Sequence, residues 1–294
     1  MERLRRSMLF VPGSNEKMAT KSLGIDADSL IIDLEDSVAP HAKKDAREFV
    51  REFIKETDFG EKEVAVRINS LKTEYGNDDL NEMIQAQPHT LVIPKVEKGK
   101  ELKELDILMT QIEKQQNFPI EGVKLMALIE TPLGIINVDE IAMSTSRLTG
   151  LLFGAGDFTR ETRGQITKER WELYYPLIKI IVAARAVNID AVDSPYFDVK
   201  DPEGCEVNAR QAKILGYDGK SAIHPSQVEV INKVFTPTPE EIERAKKVIE
   251  LYQKAEAEGK GATQLNGQLI EHVHVTISKR ILKIAERAGT SFCL

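Results

Sequence analysis

Residues 124–134 read KLMALIETPLG, an apolar run that stops abruptly at a carboxylate, a threonine and a proline. A strand of a parallel sheet is covered on both faces and is apolar throughout. The run therefore predicts such a strand, with Glu130 at its C-terminal mouth. Residues 148–158, LTGLLFGAGDF, repeat the design, a buried strand that breaks into a glycine-rich turn and presents Asp157. An acid at the tip of a buried strand needs a cation, a hydrogen-bond network or water to offset its desolvation. Two of them on neighbouring strand ends suggest a metal; singly, either could be a solvated loop carboxylate or a helix N-cap.

Outward from this pair, further strands are read at residues 7–12, 29–36, 62–69, 90–96, 189–193 and 220–224. Helical returns fall at 14–24 with Ser14 as the cap, 43–56, 101–115, 138–146, 171–187, 202–215 and 225–235, with a weaker one before Gln85. The segment 101–115 places Leu102, Leu105, Leu108, Met109 and Ile112 at helical spacing, one face for the sheet. Strict alternation implies parallel strands with right-handed crossovers, and eight units close a (β/α)8 arrangement, the TIM barrel. A doubly wound open sheet is the alternative, but FVPGSN after the first strand lacks the G-x-G-x-x-G dinucleotide fingerprint. The barrel is assigned to residues 1–236. Residues 237–294 then hold a charged helix over 240–258, the segment GKGATQLNG and a last helix over 273–287. The glycine-rich segment reads as a hinged lid or arm.

Composition sets limits on this reading. The chain has 294 residues, 41% hydrophobic and 30% charged, which suits a soluble barrel enzyme with an appendage. No apolar stretch approaches the roughly 20 residues of a membrane span. The start, MERLRRSMLFVPG, has too short an apolar run for a signal-peptide core, so a cytoplasmic protein is expected. Cys205 and Cys293 are the only cysteines and have no partners for a zinc site or redox motif. A net charge of −7 argues against a generic nucleic-acid binder.

Active sites of such barrels are built at the C-terminal strand ends, and polar residues gather there: Pro12 and Gly13, Glu35 and Asp36, Arg67 and Asn69, Lys95, Glu130, Asp157, Asp193, His224. Glu130 and Asp157 offer hard oxygen ligands and no thiolate accompanies them, so Mg²⁺ or Mn²⁺ suits the pair better than zinc. Arg67 carries a donor fork for a carboxylate or phosphate, or pairs with Glu35 or Asp36. Lys95 could form a Schiff base with a keto substrate, or pair with a nearby acid. His224 could be a general base or a hydrogen-bonded corner.

Together SMLFVPG, IIDLEDSV, VRIN, IPKV, LIETPLG, LLFGAGDF and GKSAIHPSQ, in this order, resemble the citrate lyase beta-subunit and malyl-CoA lyase family, a branch of the phosphoenolpyruvate/pyruvate barrel superfamily. The resemblance runs nearly end to end. It implies that Glu130 and Asp157 bind Mg²⁺, that Arg67 and Glu130 lie against the substrate with Glu35, Asp36, Pro12, Gly13 and Lys95 around it, and that the chain forms a homotrimer or a multiple of three. It further implies a C-terminal arm that covers a neighbouring subunit's site and carries an acidic proton donor. Where the family has an aspartate, this chain has Glu271, and the following proline is absent. Gly156 stands where relatives often carry an acid.

The activity implied is reversible, Mg²⁺-dependent cleavage of a 3-hydroxy-3-carboxy acyl thioester (citryl, malyl or citramalyl type) to a 2-keto acid and an acetyl thioester. The carrier would be CoA or an acyl carrier protein, and Glu271 would protonate the acetyl enolate. The alternatives are a non-catalytic barrel subunit, which the Glu271 departure favours, and a metal-independent Lys95 aldolase.

Overall fold

The computed structural model describes residues 3–290. Eight parallel strands close into a barrel in chain order: β1 Ser7–Pro12, β2 Ser29–Asp33, β3 Glu63–Arg67, β4 Thr90–Ile93, β5 Lys124–Ile129, β6 Leu148–Phe153, β7 Asp190–Asp193 and β8 Gly219–Ala222. The closing pair joins β8 to β1, with Met8 beside Ser221, which excludes the open sheet. Met8, Ile31, Ala65, Val92, Met126, Leu128, Leu152 and Val192 form one buried cluster, contributed by seven of the strands. Their inward alternation along each strand fills the barrel with side chains, so the ring is a core and not a pore.

The return helices are α1 Glu16–Ser22, α2 Lys43–Glu56, α3 Gly76–Ala86, α4 Gly99–Gln116, the short pair α5 Pro132–Ile136 and α6 Val138–Ala142, α7 Ala155–Thr162, α8 Tyr174–Ala186, α9 Pro202–Leu215 and α10 Pro225–Phe235. Three details differ from the sequence reading. Asn15, not Ser14, caps α1 by accepting from Met18 N. Several strands end two or three residues early, because their last polar residues already belong to the loops. Asp157 sits in the first turn of a helix and not in a glycine-rich loop, where an acid gains from the helix dipole.

The lower end of the barrel is closed by an ion cluster that the sequence did not announce. Arg5 donates through Nε and Nη2 to both oxygens of Glu63 (2.8 and 2.6 Å), and through Nη1 to Asp190 (2.9 Å) and the Thr149 carbonyl (3.2 Å). Ser29 and Thr90 donate to the same glutamate at 2.7 Å each. These partners begin β2, β3, β4 and β7 and lie near the start of β6. Burial alone would raise the Glu63 carboxyl, but Arg5 and the two hydroxyls hold it down at about 2. Gly219 makes room, since a Cβ there would stand 1.8 Å from the Arg5 carbonyl.

The chain separates into two compact units, Arg5–Asn232 and a second one that includes residues 233–290. In the second, α11 Pro239–Ala257 packs on α12 His272–Arg287. Between them β9 Thr263–Leu265 and β10 Gln268–Ile270 pair antiparallel. The segment read as a hinge therefore contains a hairpin. Asn266 and Gly267, at φ 52 and 79, supply the two left-handed positions of its turn. Leu265 and Ile270 bury against Val248, so this part of the segment is core.

No helix among the described residues is long and apolar enough to cross a membrane. Cys205 is buried and free, and Cys293 lies outside the described residues.

Candidate active site

The upper strand ends line a cavity of about 680 Å³. Pro12, Asp36, Arg67, Glu130, Asp157 and His224 all face it, as does Asp33, which was not among the sequence candidates. Another part of the wall is apolar, with Met18 of α1, Ile25 just after that helix and Ile223 after β8.

Glu130 follows β5 directly and precedes Thr131, whose hydroxyl caps α5 by accepting from Gly134 N at 3.0 Å. It is 2% exposed. The Lys95 backbone N–H donates to its Oε1 at 2.9 Å, which Lys95 reaches from a left-handed conformation at φ 52. Gly154 supplies the other side of the cradle, for a Cβ there would stand 2.6 Å from Glu130 Cβ and Oε2. Burial, then the negative charges of Glu35 and Asp157, push the Glu130 carboxyl up to about 8. Asp157 receives Arg160 Nη2 at 2.5 Å.

Arg67 is more committed than its motif suggested. Its Nε and Nη2 donate to Asp33 at 2.6 and 2.7 Å, a bidentate pair, and its guanidinium lies 5.1 Å from the Phe10 ring centroid. Only Nη1 remains, 3.1 Å from Glu35 Oε2 and 3.5 Å from Asp36 Oδ2. The first of these is an ion-pair distance without hydrogen-bond alignment, which leaves Glu35 Oε2 buried and unbonded. Asp33 also accepts from the backbone of Glu35 and Ser37, so it orders the loop as well as the arginine.

Lys95 Nζ donates to Glu35 Oε1 at 2.6 Å. Burial would lower its pKa, but the bond and charge of Glu35 raise it above the ordinary lysine value. A lysine held as ammonium is a poor Schiff-base nucleophile. Its paired reading therefore fits the geometry, and Lys95 does not line the cavity. Asn69 and Lys43 pin the Leu34–Glu35 backbone: Lys43 Nζ donates to both carbonyls and to Asn69 Oδ1. Lys43 was missed because nothing in a helix start marks a lysine that points inward.

Gly13, Asp193 and Glu271 fall outside the cavity, and His224, on its wall, is held by its own turn. Gly13 lets β1 approach β2, since a Cβ would meet the Asp33 carbonyl at 2.7 Å. Asp193 is fully buried between Arg170 and Lys220, at 2.7 Å from each, and despite burial those cations hold it at about 2. His224 Nδ1 shares a 2.8 Å hydrogen bond with Ser226 Oγ and accepts from Ser226 N, the corner reading. Glu271 caps α12 in the second unit, exposed, with its N–H on His274 Nδ1 at 3.1 Å.

Among the described residues no three His, Cys, Asp or Glu side chains converge into an all-protein metal cage. The donor set instead offers one buried and one partly exposed carboxylate facing open cavity. That fits Mg²⁺, which keeps several waters and is held by one or two carboxylates plus substrate.

A closed α/β barrel with an acid-rich mouth at its C-terminal strand ends has the architecture of a barrel enzyme. The HpcH/HpaI aldolase/citrate lyase family matches residues 6–225, and the chain belongs to that family. It is 38% identical to citrate lyase subunit beta of Leuconostoc mesenteroides subsp. cremoris over 284 residues, covering 97% of this chain and 94% of that protein. It is 34% identical to (3S)-malyl-CoA thioesterase of Cereibacter sphaeroides strain ATCC 17029 over 281 residues, 96% and 94% of the two chains. CitE of Mycobacterium tuberculosis, solved with magnesium, acetoacetate and coenzyme A, superposes with TM-score 0.78 at 28% identity, covering 95% of this chain and 97% of that one.

Proposed function

We propose that the chain is an Mg²⁺-dependent carbon–carbon lyase that cleaves a 3-hydroxy-3-carboxy acyl thioester to a 2-keto acid and an acetyl thioester. The observation that carries this is the buried Glu130, cradled by Lys95 N–H and Gly154 and sharing the cavity with Asp157. These two carboxylates would hold the ion, which when bound supplies Lewis acidity toward the keto acid's oxygens. Asp33 fixes the Arg67 fork, so the guanidinium presents its Nη1 edge toward Glu35 and Asp36 and holds a rigid positive charge at the cavity wall. Glu35 and Lys95 anchor that wall from behind. The apolar side, Met18, Ile25 and Ile223, suits the acyl arm of a thioester carried by CoA or an acyl carrier protein.

Glu271 would return a proton to the carbon of the acetyl enolate. Exposed as it is within one chain, it would do so across a homotrimer or a multiple of three, with the arm of one copy over the barrel of another in the cytoplasm. A carboxyl group acts as an acid near neutral pH once closure desolvates it. A second reading, hydrolysis of a malyl-type thioester, draws on the Cereibacter relative. Chromatography of the products separates the two, because hydrolysis gives a free hydroxy acid and lysis gives a keto acid and an acetyl thioester.

Calorimetry tests the metal site directly. Glu130→Gln keeps an acceptor for Lys95 N–H but removes the charge, and should abolish Mg²⁺-dependent binding of a 2-keto acid. Unchanged affinity for both ion and keto acid would move the site elsewhere.

A further inference from the structure

Next to Asp157 the cavity wall turns apolar. Gly156 leaves the backbone bare, and a Cβ built there would come within 3.4 Å of Phe197 Cζ and 3.8 Å of Cε1. The edge of that ring thus closes on the peptide adjoining the carboxylate. Phe197 lies on the loop after β7, lines the cavity and remains 47% exposed. An aromatic left this open inside a pocket presents its free surface to whatever occupies the space.

The cations near this wall are already engaged. Arg160 holds Asp157 at 2.5 Å. Arg67 spends two nitrogens on Asp33 and turns the third to Glu35 and Asp36. Lys95 is on Glu35. Lys21, the remaining cation of the lining, belongs to α1 after β1, three strands round the barrel from β6. A second carboxylate directed past Asp157 would meet a phenyl ring and acids, and it would lose water without gaining a partner.

We infer that Phe197, seated on Gly156, is a specificity-determining residue that selects keto acids bearing hydrogen or methyl (the glyoxylate and pyruvate class) against those bearing a carboxymethyl group (the oxaloacetate class). The inference rests on the keto-acid reading above. It assigns the chain to malyl- or citramalyl-type thioesters and away from the citryl type.

The test is calorimetric binding of pyruvate and of freshly dissolved oxaloacetate to the full chain at saturating Mg²⁺. The same titrations are run on Phe197→Ala and Phe197→Lys, with melting curves to show that both variants fold. Pyruvate should bind the unsubstituted protein roughly tenfold or more tighter than oxaloacetate, within the range that one pocket contact supplies. Phe197→Ala should narrow the ratio, and Phe197→Lys should reverse it. Oxaloacetate binding as tightly as pyruvate, or a ratio indifferent to both substitutions in folded protein, would overturn the assignment while leaving the lyase reading intact. Absence of any Mg²⁺-dependent keto-acid binding would overturn both.

Discussion

Replacing Gly154 by alanine puts the metal-site geometry to a direct test. Gly154 has φ −108, so alanine adopts the backbone without strain and the effect is steric. Its Cβ would lie 2.6 Å from both Glu130 Cβ and Oε2. Contact at an ordinary separation then requires the carboxylate to retreat by about 1 Å. Overpacking of this kind costs about 1–3 kcal/mol of stability, and displaced support of a ligand costs about 10–100-fold in metal affinity. At a Mg²⁺ concentration 100 times the dissociation constant, the unsubstituted protein gains about 2.7 kcal/mol. A hundredfold weaker variant gains only about 0.4 kcal/mol at the same concentration. At about 2–4 °C per kcal/mol, the Mg²⁺-induced rise in Tm should fall from roughly 5–10 °C to about 1 °C. Gly156→Ala is the control, because its Cβ meets Phe197 at an ordinary 3.4 Å, and it should keep the full rise. A folded Gly154→Ala protein with an undiminished rise would refute the cradle, and with it the assignment of Glu130 as a ligand.

Two further outcomes follow from the arm and from the barrel floor. Glu271→Gln should slow thioester cleavage by about 10²–10⁴-fold, the range for a lost general acid, and leave Mg²⁺ and keto-acid binding unchanged; normal turnover would reduce the residue to a helix cap. Glu63 is held at about 2 against an ordinary 4.5, so its stabilisation of about 3 kcal/mol is present above pH 4.5 and is lost as pH falls toward 2. Denaturant unfolding should show the stability gap between the native protein and Glu63→Gln shrinking over that window, and a gap constant from pH 5 to pH 3 would show that the Arg5 pairing contributes no such linkage.

The fold was legible because its signal is redundant: short, mostly apolar runs such as KLMALI and LTGLLF, each ending at turn residues, recur between helical segments. The place of Glu130, Asp157 and Arg67 on the cavity wall was legible for the same reason, as charged residues where an apolar run stops. Asp33 was hidden because it lies inside SLIIDLED, read as one strand to Asp36, whereas the strand ends at Asp33 itself. Lys43 and Arg5 were hidden because a pairing across the fold leaves no local pattern. The hairpin was lost to its glycines, although Asn266-Gly267 is the turn pair that a two-residue hairpin favours. The polar ring at the strand ends was the least discriminating signal, for Asp193 and Asn69 answer to packing and not to the cavity.

The arginine at the barrel floor also bears on the order in which the molecule is made. Arg5 precedes two of its partners, Thr149 and Asp190, by 144 and 185 residues, so both are made long after it. Until then the guanidinium has Glu63 but cannot be enclosed without leaving donors unmet, so early segments gain little from collapsing around it. Loop closure over such separations is slow. The full set of Arg5 bonds therefore closes only once β7, which carries Asp190, has joined the barrel.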